Sequence, residues 1–77
     1  MPYNMDYPLP DVVFVTRQGE CVAQTHWSEY EPMGVEDALL LARNEGFQPV
    51  GPGPGQIKLI TWNYAGRECA AWSVEVY

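Results

Sequence analysis

The apolar and polar positions divide the chain into stretches with two different periods, beginning with a pair of β-strands. Asp11 to Arg17 is rich in β-branched and aromatic residues, and Glu20 to Trp27 follows across Gln18-Gly19. A two-residue connection with glycine second is typical of a tight β-hairpin. Pairing Arg17 with Glu20 predicts that Val15 faces Val22, Phe14 faces Ala23 and Val12 faces Thr25. On this register the more apolar face, which we expect to form the core, collects Val12, Phe14, Cys21 and Ala23.

The next stretch changes to a helical period. Apolar residues recur at helical spacing as Val35, Ala38, Leu39 and Ala42. Glu36 and Asp37 precede most of this stripe, where negative charge favours a helix start, and Arg43 falls in its last turn. The pattern predicts a helix that begins near Gly34 and ends at Gly46 as a left-handed residue, with Phe47 folding back onto the last turn. Leu40 lies off the stripe and is expected to be partly exposed.

A second pair of strands follows a loop rich in glycine and proline, Gln48 to Gly55. Gln56 to Trp62 and Arg67 to Tyr77 alternate around a turn at Ala65-Gly66. This turn predicts that Tyr64 faces Arg67, Leu59 faces Trp72 and Ile57 faces Val74. The alternation on the two strands agrees with that register, which favours a second hairpin.

The order β-β-α-β-β predicts an α+β fold. Its simplest closure is a four-stranded antiparallel sheet of two hairpins with one helix on one face. Residues 11–77 form the single globular domain on this interpretation, and residues 1–10, which hold three prolines and two tyrosines, form an extended arm. One helix covers only one face of the sheet, so the other face is expected to present exposed aromatic residues.

Composition narrows the classes of function. The 77 residues carry ten Asp and Glu against four Lys and Arg, for a net charge of -6, and 47% are hydrophobic. Such a chain folds as one small domain, and it lacks the basic stripe that binds a nucleic-acid backbone or an anionic membrane. No signal peptide or membrane-spanning run is present, so we expect a cytoplasmic protein.

Candidate catalytic chemistry is limited to two thiols, Cys21 and Cys69, and one imidazole, His26. The predicted register places Cys21 and His26 on opposite faces of their strand, which argues against a Cys-His nucleophile pair. Both cysteines are interpreted as small hydrophobic residues, and a reducing compartment argues against a disulfide. Their spacing matches no zinc site, and the acidic residues match no calcium loop. We therefore predict a protein that is not an enzyme and has neither a metal nor a cofactor.

Two surfaces are candidates for binding. The first is a carboxylate cluster with no cation inside it and with aromatic neighbours, a mixture that suits arginine and lysine on a protein partner. It comprises Trp27, Glu29, Tyr30, Glu31, Glu36 and Asp37. The alternative interpretation is a solvated connector followed by a charged first helical turn.

The second surface is aromatic and comprises Tyr3, Tyr7, Ile60, Trp62 and Tyr64. Three Trp and five Tyr exceed what so small a core holds, and these residue types dominate interface hot spots. Two interpretations remain open at this point. Either the arm packs on Trp62 within the same chain, or this face contacts another molecule, including a second copy of the chain.

In size, charge and compact α+β build, the chain resembles the small phage-encoded inhibitors of the anti-CRISPR type. The resemblance implies a non-catalytic inhibitor or adaptor in the host cytoplasm, which engages a basic, nucleic-acid-binding surface of a larger protein complex. The alternative hypothesis is a homo-oligomeric structural or accessory protein assembled through its aromatic sheet face.

Overall fold

A computed structural model describes residues 10–27 and 33–77, and the predicted order of elements is confirmed within them. Residues 1–9, the greater part of the predicted arm, lie outside the described residues. The elements are β1 (Val12–Arg17), β2 (Glu20–His26), α1 (Val35–Asn44), β3 (Ile57–Tyr64) and β4 (Arg67–Glu75). No helix in the described part of the chain has the length and apolar character needed to cross a membrane.

Both hairpins close through tight turns with two consecutive residues at positive φ. Gln18 and Gly19 have φ of 53° and 83°, and Ala65 and Gly66 have φ of 54° and 80°. Positive φ at both central residues defines the type I′ turn, whose twist matches that of the strands it joins. The two predicted turns are therefore confirmed, each with one residue other than glycine in the left-handed region.

The register of the second hairpin is confirmed along its whole length. Tyr64 pairs with Arg67, Leu59 with Trp72, and Ile57 with Val74. The first hairpin is different, because its predicted register holds only at the turn.

In the first hairpin, Arg17 pairs with Glu20, but Val15 pairs with Ala23 instead of Val22. Val22 is the extra residue of a β-bulge, and every pair beyond it shifts by one position. The predicted pairs of Val15 with Val22, Phe14 with Ala23 and Val12 with Thr25 are wrong for this reason.

The sheet is mixed, and the expectation of a fully antiparallel sheet is wrong. The strand order is β2-β1-β4-β3, and β1 runs parallel to β4 in the centre, where Val13 pairs with Trp72. Helix α1 carries the chain from the end of the sheet where β2 finishes to the opposite end, so β3 runs in the direction of β2. Central strands must be apolar on both faces. The strands β1 and β4 meet this requirement, since Val12, Val13, Ala70 and Ala71 are all buried.

The core lies between α1 and the face of the sheet that carries Val13 and Val15, both fully buried. The predicted core face, with Val12 and Phe14, is the opposite one. The pairing of Val13 with Trp72 and of Val15 with Val74 aligns these β1 residues with the apolar side of β4. The other buried members are Met33, Ala38, Leu39, Ala42, Ile57, Val74 and Val76. Val35, expected in the helical stripe, is 38% exposed, and Leu40 is exposed as predicted.

Helix α1 begins and ends as its sequence predicts. The Asp37 carboxylate accepts a hydrogen bond from the Gly34 N–H at 3.1 Å. At the other end Gly46 has φ of 92° and donates to the Arg43 carbonyl, while the Phe47 N–H donates to the Ala42 carbonyl. These two bonds form a Schellman motif, and Phe47 packs against the core.

The last residues of the chain are tied to the turn of the first hairpin. Arg17 Nε donates to the Tyr77 carbonyl at 2.9 Å, and its guanidinium carbon lies 5.7 Å from the centre of the Phe47 ring. The Val76 N–H also donates to the Thr16 carbonyl at 2.8 Å. Arg17 and Glu20 face each other in register as predicted, but the guanidinium contacts the Tyr77 carbonyl and the Phe47 ring.

Candidate functional site

The predicted carboxylate cluster is described in part. Glu29, Tyr30 and Glu31 lie outside the described residues. Glu36 and Asp37 occupy the first turn of α1, as expected. Asp37 is half-buried and engaged with the Gly34 N–H, whereas Glu36 is exposed and makes no hydrogen bond or ion pair to any described residue. Asp37 therefore supports the helix start, and Glu36 is free to meet a partner.

Trp27 is half-buried and packs against the hydrophobic core. Its backbone N–H donates to the Asp11 carbonyl at 2.7 Å and so extends the first hairpin by one pair. Trp27 thus contributes to the fold at the end of β2. Its part in binding a partner stays a prediction.

Charge is distributed unevenly between the two ends of the sheet. We call the end where β1 begins, β2 finishes, α1 starts and β3 turns into β4 the acidic end. Its carboxylates are Asp11, Glu36, Asp37 and Glu68, with Arg67 the one cation among the described residues there. The opposite end has Glu20, Glu45 and Glu75 balanced by Arg17, Arg43 and Lys58. The net negative charge of the described residues therefore lies at the acidic end.

None of these carboxylates is neutralised by an ion pair between described residues. Trp27 and Met33, which flank the connector carrying Glu29 and Glu31, both lie at the acidic end as well. An uncompensated group of like charges repels itself and attracts cations from solution. The acidic end is therefore a surface suited to a basic partner.

The sheet face opposite α1, which we call the open face, carries an aromatic group. The rings of Phe14 and Trp62 meet edge to face with centres 5.1 Å apart, and Tyr64 lies 5.3 Å from Trp62. Ala71 lies on β4, between the strands that carry Phe14 and Trp62, and its small side chain leaves room for these two rings to meet above it. The rings cover Ala71, which is fully buried. Trp62 Nε1 is buried and has no hydrogen-bond partner among the described residues.

This open face includes three of the residues predicted for the second surface. Ile60 and Trp62 are half-buried, and Tyr64 is 63% exposed. Tyr3 and Tyr7 lie outside the described residues. Tyr64 is thus the member of the described group that is most accessible to another molecule.

A pocket of about 330 Å³ lies at the acidic end of the open face. The β3–β4 hairpin projects past the start of β1. Val13 of β1 pairs with Trp72 of β4, and five residues of β4 precede Trp72 whereas one residue of β1 precedes Val13, a difference of four. At roughly 3.3 Å per residue the projection is about 13 Å. The recess beside it is lined by Asp11, Val12, Gln24, His26, Trp62, Tyr64 and Cys69. Trp62 and Tyr64 were expected at a surface, but their grouping with Asp11, Gln24 and His26 was missed.

The missed grouping depends on two features that the sequence pattern does not reveal. The bulge at Val22 brings His26 opposite Val12, and the parallel pairing of β1 with β4 brings Val12 near the second hairpin. The one available signal was the pair of adjacent apolar residues, Val12 and Val13, which is typical of a strand buried on both faces.

The candidate nucleophiles are placed differently from the prediction. Cys21 pairs with Thr16 and His26 with Val12, so the bulge puts both on the open face, and their predicted separation onto opposite faces is wrong. Four residues still separate them along β2. Cys69, which lines the pocket with His26, directs its thiol to the Arg67 carbonyl at 3.9 Å.

His26 forms a hydrogen bond with the Gln24 side chain and with neither thiol. Its Nε2 atom lies 3.4 Å from the Gln24 side-chain nitrogen, so the Gln24 amide donates to the ring when His26 carries its proton on Nδ1. Within the described residues no hydrogen bond joins His26 to either cysteine, and no three His, Cys, Asp or Glu side chains are grouped to hold a metal ion. The described residues of this pocket therefore form no Cys-His nucleophile pair.

Comparison of the chain with protein-family models, with curated proteins and with solved structures gives no match.

Proposed function

We propose that this protein is a non-catalytic, acidic inhibitor or adaptor that engages a basic surface of a larger protein complex through its acidic end. The observation that carries the proposal is the segregation of charge, with four carboxylates and one cation among the described residues at that end. Complementary potentials of this kind steer association and select the partner. The resemblance to phage anti-CRISPR-type inhibitors in size, charge and build supports the same class, with a nucleic-acid-binding surface as the target.

The carboxylates available for this role are the exposed ones. Asp11, Glu36 and Glu68 are exposed and unpaired among the described residues, whereas Asp37 is engaged with the Gly34 N–H. Glu29 and Glu31, with Tyr30, are included in the proposed surface because Trp27 and Met33, the described residues on either side of them in sequence, lie at this end. Arginine of the partner forks onto carboxylates and stacks on the aromatic residues beside them.

The test compares two triple variants with the same change in charge. One carries Asp11→Asn, Glu36→Gln and Glu68→Gln at the acidic end, and the control carries Glu20→Gln, Glu45→Gln and Glu75→Gln at the other end. Partners are captured from native host lysate, identified by mass spectrometry, and titrated against each variant at several salt concentrations. Asp37 is left unchanged, since its loss would weaken the helix start.

We expect the acidic-end variant to bind the captured partner at least about tenfold more weakly, with a shallower salt dependence, while the control stays within about twofold. A third variant, Glu29→Gln with Glu31→Gln, should also lose affinity. Equal affinity for the acidic-end variant and the control would refute the proposal. Circular dichroism of each variant confirms that the fold is retained.

A second candidate function is a homo-oligomeric structural or accessory protein. The observation in its favour is that β2 and β3 are the two edges of the sheet, with Leu59 55% exposed on β3 and Tyr64 exposed on the open face. Edge strands with exposed apolar residues pair readily with another chain. Size-exclusion chromatography with light scattering separates the candidates, because this one requires a stable dimer or larger species without any partner.

A further inference from the structure

The pocket on the open face has an aromatic wall and a polar wall. Trp62 and Tyr64 project from β3 on one side, and Asp11, Gln24 and His26 come from the first hairpin on the other. No Lys or Arg is among the described residues that line it. At about 330 Å³ the pocket is near the lower end of the range for ligand sites, about 300 to 1,000 Å³. A single long side chain suits such a space.

From this arrangement we infer that the pocket receives the guanidinium group of an arginine side chain presented by a protein partner. A guanidinium is planar, so it stacks on the faces of aromatic rings while its fork of N–H donors reaches acceptors at its edge. Trp62 and Tyr64 supply the rings, and the Asp11 carboxylate supplies the charged acceptor. The inference rests on the proposed function, for which it names the recognised side chain and the residues that recognise it.

Gln24 provides a second acceptor. Its side-chain nitrogen lies 3.4 Å from His26 Nε2. The amide nitrogen is therefore directed to the imidazole, and the amide oxygen has no partner among the described residues. A guanidinium has five N–H donors and no acceptor, so a carboxylate and an amide oxygen in one wall match it better than they match an anion.

The surrounding charge also favours a cation. Asp11 makes no ion pair with a described residue, and the pocket opens at the acidic end. Arg67, which pairs with Tyr64 across the second hairpin, lies nearby but does not line the pocket. Trp62 and Tyr64 distinguish arginine from lysine, because the compact and strongly hydrated ammonium group of lysine stacks less well on a ring.

The experiment is an NMR titration of the full chain with three acetylated and amidated pentapeptides. Each has two glycines on either side of one central residue, which is arginine, lysine or citrulline. Citrulline has nearly the shape of arginine but no charge. The reporter is the indole N–H signal of Trp62, assigned by its disappearance in Trp62→Phe. The pocket variants are Asp11→Asn and Gln24→Ala, and Glu45→Gln at the other end is the matched charge control.

We expect the arginine peptide to shift the Trp62 signal saturably, with the lysine peptide weaker and the citrulline peptide weaker still. Asp11→Asn should reduce the affinity for arginine about three- to fivefold, as suits one exposed charge pair, while Glu45→Gln leaves it unchanged. Gln24→Ala should weaken binding in the same direction, which guards against an effect of Asp11→Asn on the fold.

Equal binding of arginine and citrulline would overturn the inference, because the pocket would then recognise shape without charge. Saturable shifts that leave the Trp62 signal unmoved would overturn it too, since the cation would be held elsewhere. Neither result bears on capture of the partner by the acidic end, so the proposed function is judged separately by its own pair of triple variants.

Discussion

The turn at Ala65-Gly66 gives the sharpest quantitative prediction, because its energetics come from backbone conformation alone. Ala65 has φ of 54°, in the left-handed region. That conformation costs a residue with a Cβ about 1 to 2 kcal/mol, and asparagine is among the residues that tolerate it best. The sequence Asn-Gly is the preferred pair for a type I′ turn. We therefore expect Ala65→Asn to stabilise the protein by about 0.5 to 1 kcal/mol, which is about 2 to 8 °C in Tm for a domain of this size.

Two glycine substitutions complete this test. Gly66→Ala should lower the free energy of unfolding, and Gly55→Ala is the control. Gly66 has φ of 80°, and a Cβ added to it meets no atom within 4 Å, so Gly66→Ala changes conformational energy without a clash. It should cost about 1 to 2 kcal/mol. Gly55 has equally open surroundings but no positive φ. Gly55→Ala should be neutral or stabilising by up to about 1 kcal/mol, because it restricts the unfolded chain.

Urea and thermal denaturation followed by circular dichroism measure all three variants. The reasoning would be refuted if Gly66→Ala and Gly55→Ala changed the free energy of unfolding equally, since only the first places a Cβ in the left-handed region. It would also fail if Ala65→Asn were destabilising. A parallel change in the urea m-value would indicate an altered unfolded state instead.

Two further predictions use matched pairs of residues. Trp72 Nε1 donates to the Met33 carbonyl at 3.0 Å, whereas Trp62 Nε1 is buried and has no partner in the described part of the chain. Trp72→Phe should therefore cost about 1 to 2 kcal/mol more than Trp62→Phe in urea denaturation. Equal costs would contradict this assignment of the two indoles. Val13 is fully buried and Val22 is 42% exposed at the bulge. Val13→Ala should therefore cost about 2 to 3 kcal/mol and Val22→Ala less than about 0.5 kcal/mol, and a larger loss at Val22 would argue against the bulge.

The local elements were predictable because their signals lie within a few residues. Gly46 and Phe47 specify the end of α1 through a motif that is closed by neighbouring backbone groups. The second hairpin was predictable in full, since a two-residue turn fixes the register of an undisturbed ladder. The first hairpin was not, because a bulge at Val22 changes which side chains share a face without changing the composition of the strand.

The candidate site shows the same division. The excess of carboxylates and aromatic residues was evident from the sequence, and the position of Glu36 and Asp37 at the helix start was predictable from it. The pocket was not predictable from the sequence, because Asp11 and Tyr64, which both line it, are more than fifty residues apart in the chain. They line one recess only when β1 pairs with β4.

The sequence by itself determined the order of the elements, their turns and caps, and the acidic character of the surface, since each depends on local backbone preferences or on residue counts. The tertiary structure alone decided that β1 and β4 form a parallel centre, that Val13 and Val15 face the helix, and that the charge excess of the described residues gathers at one end. These outcomes depend on which strands bury apolar side chains on both faces at once. That is a property of the packed sheet and of no single segment.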